Sequence, residues 1–176
     1  MLRKPLLQEL EQVEQSETDS IFERGDWDNL IILNACRHDK YQKMKDEEVE
    51  SRLTLGSTSH EYLERTFTDE EYDDIVYISA NGFFTDTMME KHLGRTGIFH
   101  AKFDTIEEKW DKEKGTVLPE SVVEDALTAE KLFPEKRKII HFIQPHYPFL
   151  TRDFGETSET HLPDDGNEDA LEKAER

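Results

Sequence analysis

At 176 residues the chain has the length of one domain with a real hydrophobic core and little room for a second. With 41 acidic against 22 basic residues and a net charge of -19, its field repels nucleic acid and anionic membrane surfaces, which excludes both as partners. No apolar run reaches the roughly 18 residues that span a bilayer or resembles a signal-peptide core, and the single Cys36 leaves no internal disulfide and no cysteine-based zinc site, so a cytoplasmic protein is expected.

Residues 1–20 alternate Leu with Glu and Gln, and Leu6, Leu7, Leu10 and Val13 make a narrow apolar stripe that predicts a helix packed on the outside of a domain spanning residues 21–154. Leu30 to Leu33 is an apolar run without alternation, which predicts a central parallel strand covered on both faces. The charged stretch Lys40 to Arg52 reads as a solvated helix, capped by Asp39. Gly56 to Glu61 reads as a loop and helix N-cap, followed by Tyr62, Leu63 and Phe67 at helical spacing.

Asp74 to Ser79 is β-branched and aromatic, hence a second strand, closed by a turn at Ala80, Asn81 and Gly82. Ile98 to Phe103 predicts a third strand at an edge. Pro119 presets a first helical turn, and Val122, Val123, Ala126, Leu127 and Leu132 mark the apolar face of a helix running to about Phe133. Lys138 to Phe142 is the last long strand. This alternation predicts an α/β fold with a doubly wound, mostly parallel sheet, right-handed crossovers and flanking helices. Residues 155–176 lose nearly all large apolar side chains and read as an acidic, flexible tail with at most a short helix.

Two apolar runs pass directly into polar clusters. Asn34, Cys36, Arg37, His38 and Asp39 follow the first strand, and Gln144, His146 and Tyr147 follow the last. Open α/β sheets bind ligands outside the carboxyl ends of their strands, so both clusters are candidates for one site. Arg37 has the planar fork that matches phosphate or sulfate. Thr58, Ser57 or Ser59 would serve as a hydroxyl nucleophile only with a base or metal to activate it. Plainer roles compete: Asn34 as a turn residue, Cys36 as a small buried side chain, His38 as a solvated one, and His141 as a satisfied core histidine. His146, between two prolines in a rigid loop, has the placement of a functional residue.

Together the segments WDNLIILNACRHD, GSTSHEYL, DDIVYISAN, GTVLPESVVEDAL and HFIQPHYPFL, over residues 26–150, resemble the amino-terminal half of archaeal sulfatase-like proteins of the alkaline phosphatase superfamily. The resemblance implies a metal-dependent hydrolase of a small anionic phosphate or sulfate ester, using a divalent metal (Zn, Mg, Ca or Mn) if it is active and none otherwise. On that pattern Thr58 is the first choice of nucleophile and Ser59 the second, with Ser59 beside Thr58 otherwise binding substrate. Asn34 stands at the metal position where the family has Asp, Arg37 steadies the anion, and His146 is the substrate-side histidine. His60 stands where the family places a proline, and no Cys-x-Pro-x-Arg signature for formylglycine is present. The later Asp-His-Gly type ligands are also missing. The expectation is therefore a shortened member, impaired or inactive as a hydrolase, with a noncatalytic binding module that keeps the fold without a complete metal site as the alternative. A homo-oligomer or a complementing partner chain would supply what is missing. An acidic surface of this kind also fits a halophilic protein kept hydrated at high salt, in preference to an acidic tail that binds other proteins.

Overall fold

A computed structural model describes residues 21–23, 27–51, 54–69 and 71–150. The predicted amino-terminal helix and acidic tail lie outside these residues.

Four parallel strands form the sheet, in the order β1 (Asn29–Leu33), β6 (Arg137–Phe142), β2 (Tyr72–Ser79), β3 (Phe99–Asp104). The remaining elements are α1 (His38–Gln42), α2 (Ser59–Thr66), α3 (Asp86–Leu93), α4 (Thr105–Glu108), the short antiparallel pair β4 (Trp110–Asp111) and β5 (Thr116–Val117), and α5 (Pro119–Leu132). The α/β class and the parallel sheet follow the sequence expectation. β2 forms where Ile75, Val76, Tyr77 and Ile78 favour a pleated surface buried on both faces, and all four are fully buried.

One face of the sheet carries α2 and α3. There Leu63 and Phe67 meet Tyr77, Ile139 and Phe99, with Phe84 stacked on Tyr77 at 4.6 Å. The other face carries α5, whose Val122 and Ala129 pack over Val76 and Ile78. α5 begins at Pro119 as predicted and gives way at Phe133, one residue before Pro134. α3 is opened by the Thr85 side chain and closed by Gly94 in the left-handed conformation, φ 68°.

Two expectations are corrected. β1 lies at the sheet edge rather than the centre: Leu30 and Ile32 pack inward, but Ile31 is 61% and Leu33 41% exposed. An unbroken apolar run encodes two apolar faces and does not encode whether both edges are paired. The charged stretch after it is helical only over the five residues of α1, whose cap is Arg37 without a side-chain bond. Asp39 sits in the first turn instead, where Arg37 Nε donates to its Oδ1 at 2.8 Å and holds the carboxyl below its ordinary range.

Candidate functional site

The carboxyl ends of β1, β6 and β2 lie side by side. Leu33 is the register partner of Phe142, and His141 is the partner of both Ile32 and Ser79. Immediately beyond, Asn34 N–H donates to the Phe142 carbonyl at 3.1 Å. The chain then turns through Ala35 at φ 57°, a left-handed conformation unfavourable for a residue with a Cβ, so the backbone is strained where β1 delivers Asn34.

The amino terminus of α2 docks on the same rim, because Asn81, which follows β2, donates from Nδ2 to Ser59 Oγ at 3.1 Å. Loop 56–60, Asn34 and loop 143–148 thus share one edge of the sheet. Among the described residues no side-chain hydrogen bond joins Asn34, Thr58 and His146, so what they share is a rim and not a direct contact.

Thr58 is the N-cap of α2 and accepts from the Glu61 N–H at 3.4 Å. Glu61 reaches back to the Ser57 N–H and hydroxyl at 2.8 and 2.6 Å, and these bonds lower its carboxyl below the ordinary range. Gly56 makes this tight turn possible, since a Cβ there would stand 2.2 Å from the Tyr62 nitrogen. The Thr58 hydroxyl also lies 3.0 Å from His60 Nδ1 and 3.4 Å from Nε2, distances to both nitrogens that set it over the face of the ring. The His60 ring stacks on His92 at 5.3 Å, and His92 Nδ1 meets Glu64 at 3.2 Å. Phe83 closes on both rings.

His60 is the partner that the sequence reading missed. The available signal was a Thr-x-His spacing at an N-cap, which puts hydroxyl and imidazole on one helix end. Asn81, the other residue not anticipated here, was read only as part of a turn.

Arg37 and His146 are both solvent-facing on this edge. The His146 Nδ1–H donates to the Tyr147 carbonyl at 2.8 Å, which leaves Nε2 as the nitrogen that could meet a ligand. Loop 143–148 is held by Gln144 Nε2 donating to the Val117 carbonyl at 2.8 Å, and its Gln144–Pro145 and Tyr147–Pro148 bonds are cis. Two buried acceptors, Gln144 Oε1 and Asp104 Oδ1, have no hydrogen-bond partner among the described residues. Burial raises the Asp104 carboxyl, against the opposing pull of Lys102 at 3.1 Å. Cys36 is half-buried and free, and His38 is exposed, with its Nε2 bonded to the Val49 carbonyl at 2.8 Å.

The donors at this edge do not fit a divalent cation. Asn34 offers a neutral amide, and no cluster of three or more His, Cys, Asp or Glu side chains suited to a metal occurs among the described residues. His141 is no ligand either: its Nδ1 lies 2.9 Å from the buried Tyr77 hydroxyl inside the core. A cavity of about 660 Å³ opens at the opposite end of the sheet, near Tyr72 and Arg137, where Arg137 is already paired with Asp74. No described helix is long and apolar enough to cross a membrane. Comparison of the chain with protein-family models, curated proteins and solved structures gives no significant match.

Proposed function

We propose that this is a sulfatase-like domain with an alkaline-phosphatase-like fold, acting on a small phosphate or sulfate ester through the Thr58 hydroxyl. The observation that carries the reading is the 3.0 Å approach of Thr58 Oγ1 to His60 Nδ1 on the carboxyl edge of the sheet. A hydroxyl becomes a competent nucleophile when an adjacent base takes its proton. In this reading the His60 ring turns its Nδ1 lone pair to the hydroxyl, and the Thr58 proton passes to it as Oγ1 attacks phosphorus or sulfur. The bond to the leaving alcohol breaks, the imidazolium returns the proton to the departing oxygen, and water then cleaves the threonyl ester. Arg37 and His146 Nε2 steady the anion, and Ser59 lines its approach. No step is routed through a metal.

The test is an assay of phosphate and sulfate monoesters with wild type, Thr58→Ala and His60→Gln. The expected outcome is loss of activity in Thr58→Ala and a fall of about 10²–10⁴-fold in His60→Gln, the usual contribution of a positioned base. Wild-type activity in Thr58→Ala would remove Thr58 from the reaction. Repeating the assay on Asn34→Asp, with and without added divalent metal, asks whether a charged ligand restores a family-like metal requirement.

A noncatalytic binding module is the second reading, favoured by the Thr58 hydroxyl already serving as the α2 cap. It predicts calorimetric binding of inorganic phosphate or sulfate with no turnover, weakened by Arg37→Ala.

A further inference from the structure

Against His60 packs a second imidazole. His92 lies in the last turn of α3 with its side chain 18% exposed, and its Nδ1 stands 3.2 Å from Glu64 Oε1. A carboxylate only accepts, so a neutral His92 carries its proton on Nδ1 and presents a bare lone pair at Nε2. That Nε2 is buried and has no hydrogen-bond partner among the described residues. Such an atom costs free energy until a donor reaches it. Among the described residues, the rings packed on His92 are those of His60 and Phe83. Phe83 carries no donor, which leaves His60. The two imidazole planes are 26° apart with centroids 5.3 Å from each other. Near-parallel rings at that separation are offset and not face to face, so a turn of one can bring an edge nitrogen against the other.

We propose that His92 and Glu64 are the positioning residues of His60: as the His60 ring turns its Nδ1 to Thr58, its Nε2–H donates to His92 Nε2, and Glu64 fixes the His92 tautomer that can accept. The proposal rests on the Thr58 reading above and adds to it the reason why His60 takes up the proton. His60 and Glu64 are one turn apart on α2, and both meet the same residue of α3. The protons balance without a further group. Thr58 gives its proton to His60 Nδ1, the imidazolium keeps Nε2–H toward a neutral His92, and the proton later leaves from Nδ1 to the departing oxygen. Glu64 stays a carboxylate throughout, and its charge favours the imidazolium through the intervening ring. The bond between the two imidazoles satisfies the buried Nε2 in the reacting conformation and is absent in the resting one, so it favours the turned ring.

The test uses the full chain with two variants. His92→Phe keeps a ring against His60 and Phe83 but removes both nitrogens, and Glu64→Gln changes a side chain that is 43% exposed, so it carries both readouts if His92→Phe does not fold. Nitrogen-15 NMR of the imidazoles should find wild-type His60 protonated mainly on Nε2 and His92 on Nδ1. The His60 preference should be lost in His92→Phe, and the His92 preference in Glu64→Gln. In the monoester assay both variants should lose at least about tenfold in kcat with KM changed less than about twofold, the pattern of an interaction made only in the transition state. Unchanged tautomers and unchanged kcat in the folded variants, with wild-type turnover still dependent on Thr58, overturn the proposal and leave the Thr58 reading standing. A His60 tautomer that follows His92 in a protein that turns over neither ester supports the contact between the two rings and overturns the Thr58 reading.

Discussion

His141 shows how a polar residue is accommodated in the centre of the sheet. Its Nδ1 stands 2.9 Å from the Tyr77 hydroxyl, and both groups are buried. Burial pushes the imidazole down to about 3 and the phenol well above its ordinary value, so both are neutral in the native protein. With the proton on Nε2, Nδ1 accepts from the hydroxyl, which satisfies both. An unfolded histidine titrates near ~6.5. Between that value and about 3 the unfolded chain therefore binds a proton that the native state does not, and stability falls as pH drops through this window, by about 1.4 kcal/mol per unit. Urea unfolding at pH 7 and pH 5 should show wild type losing about 2 kcal/mol from this group. The loss should be clearly smaller in His141→Leu, where only groups such as Asp39 and Glu61, whose lowered carboxyls push in the same direction, remain. An equal loss in the variant would place the proton uptake elsewhere.

At the scale of elements, the turn into α2 is the most constrained junction near the candidate site. A Cβ on Gly56 would stand 2.2 Å from the Tyr62 nitrogen and 2.6 Å from the Glu61 carbonyl carbon, both backbone atoms that can move only with the helix. Gly56→Ala should therefore displace the start of α2, cost about 1–3 kcal/mol and lower the melting temperature; an unchanged melting temperature would mean that α2 is not held where it is seen. The same turn shows what sequence can encode. Its N-cap was legible because capping is local, as were β2 from its β-branched run and α5 from Pro119 to Leu132. The place of β1 was not, because it depends on where β6, more than a hundred residues later, inserts between β1 and β2. The length of α1 was misread for a related reason: charged residues beyond Gln42 satisfy helical propensity but have no apolar face to hold them against the sheet. In the site, the shared rim of Asn34, Thr58 and His146 could be anticipated from strand ends. The stacking of His60 on His92 could not, since it arises from the packing of α2 beside α3.

For the whole molecule, charge is the dominant unspent term. Most ion pairs among the described residues have at least one largely exposed partner, such as Arg37 with Asp39 or Lys109 with Glu124, and pairs of that kind contribute little each. They leave a net charge of -19 whose self-repulsion opposes the compact state. Salt shortens the range of that repulsion from ~10 Å at 0.1 M to ~3 Å at 1 M. Partly buried contacts such as Lys109 with Asp125, where the carboxylate is 9% exposed, are screened far less and persist. The repulsion is spread over the surface while the attractive pairs are short, so added salt removes more destabilisation than stabilisation. The melting temperature should rise steadily from 0.1 M to 1 M sodium chloride, and then further with potassium chloride at higher concentration. Reversing three exposed acids, as in Glu90→Lys, Glu108→Lys and Glu113→Lys together, should reduce the size of that rise. A melting temperature that stays flat across salt in wild type would show that self-repulsion does not limit the fold, and would remove the physical basis for reading the acidic surface as an adaptation to high salt.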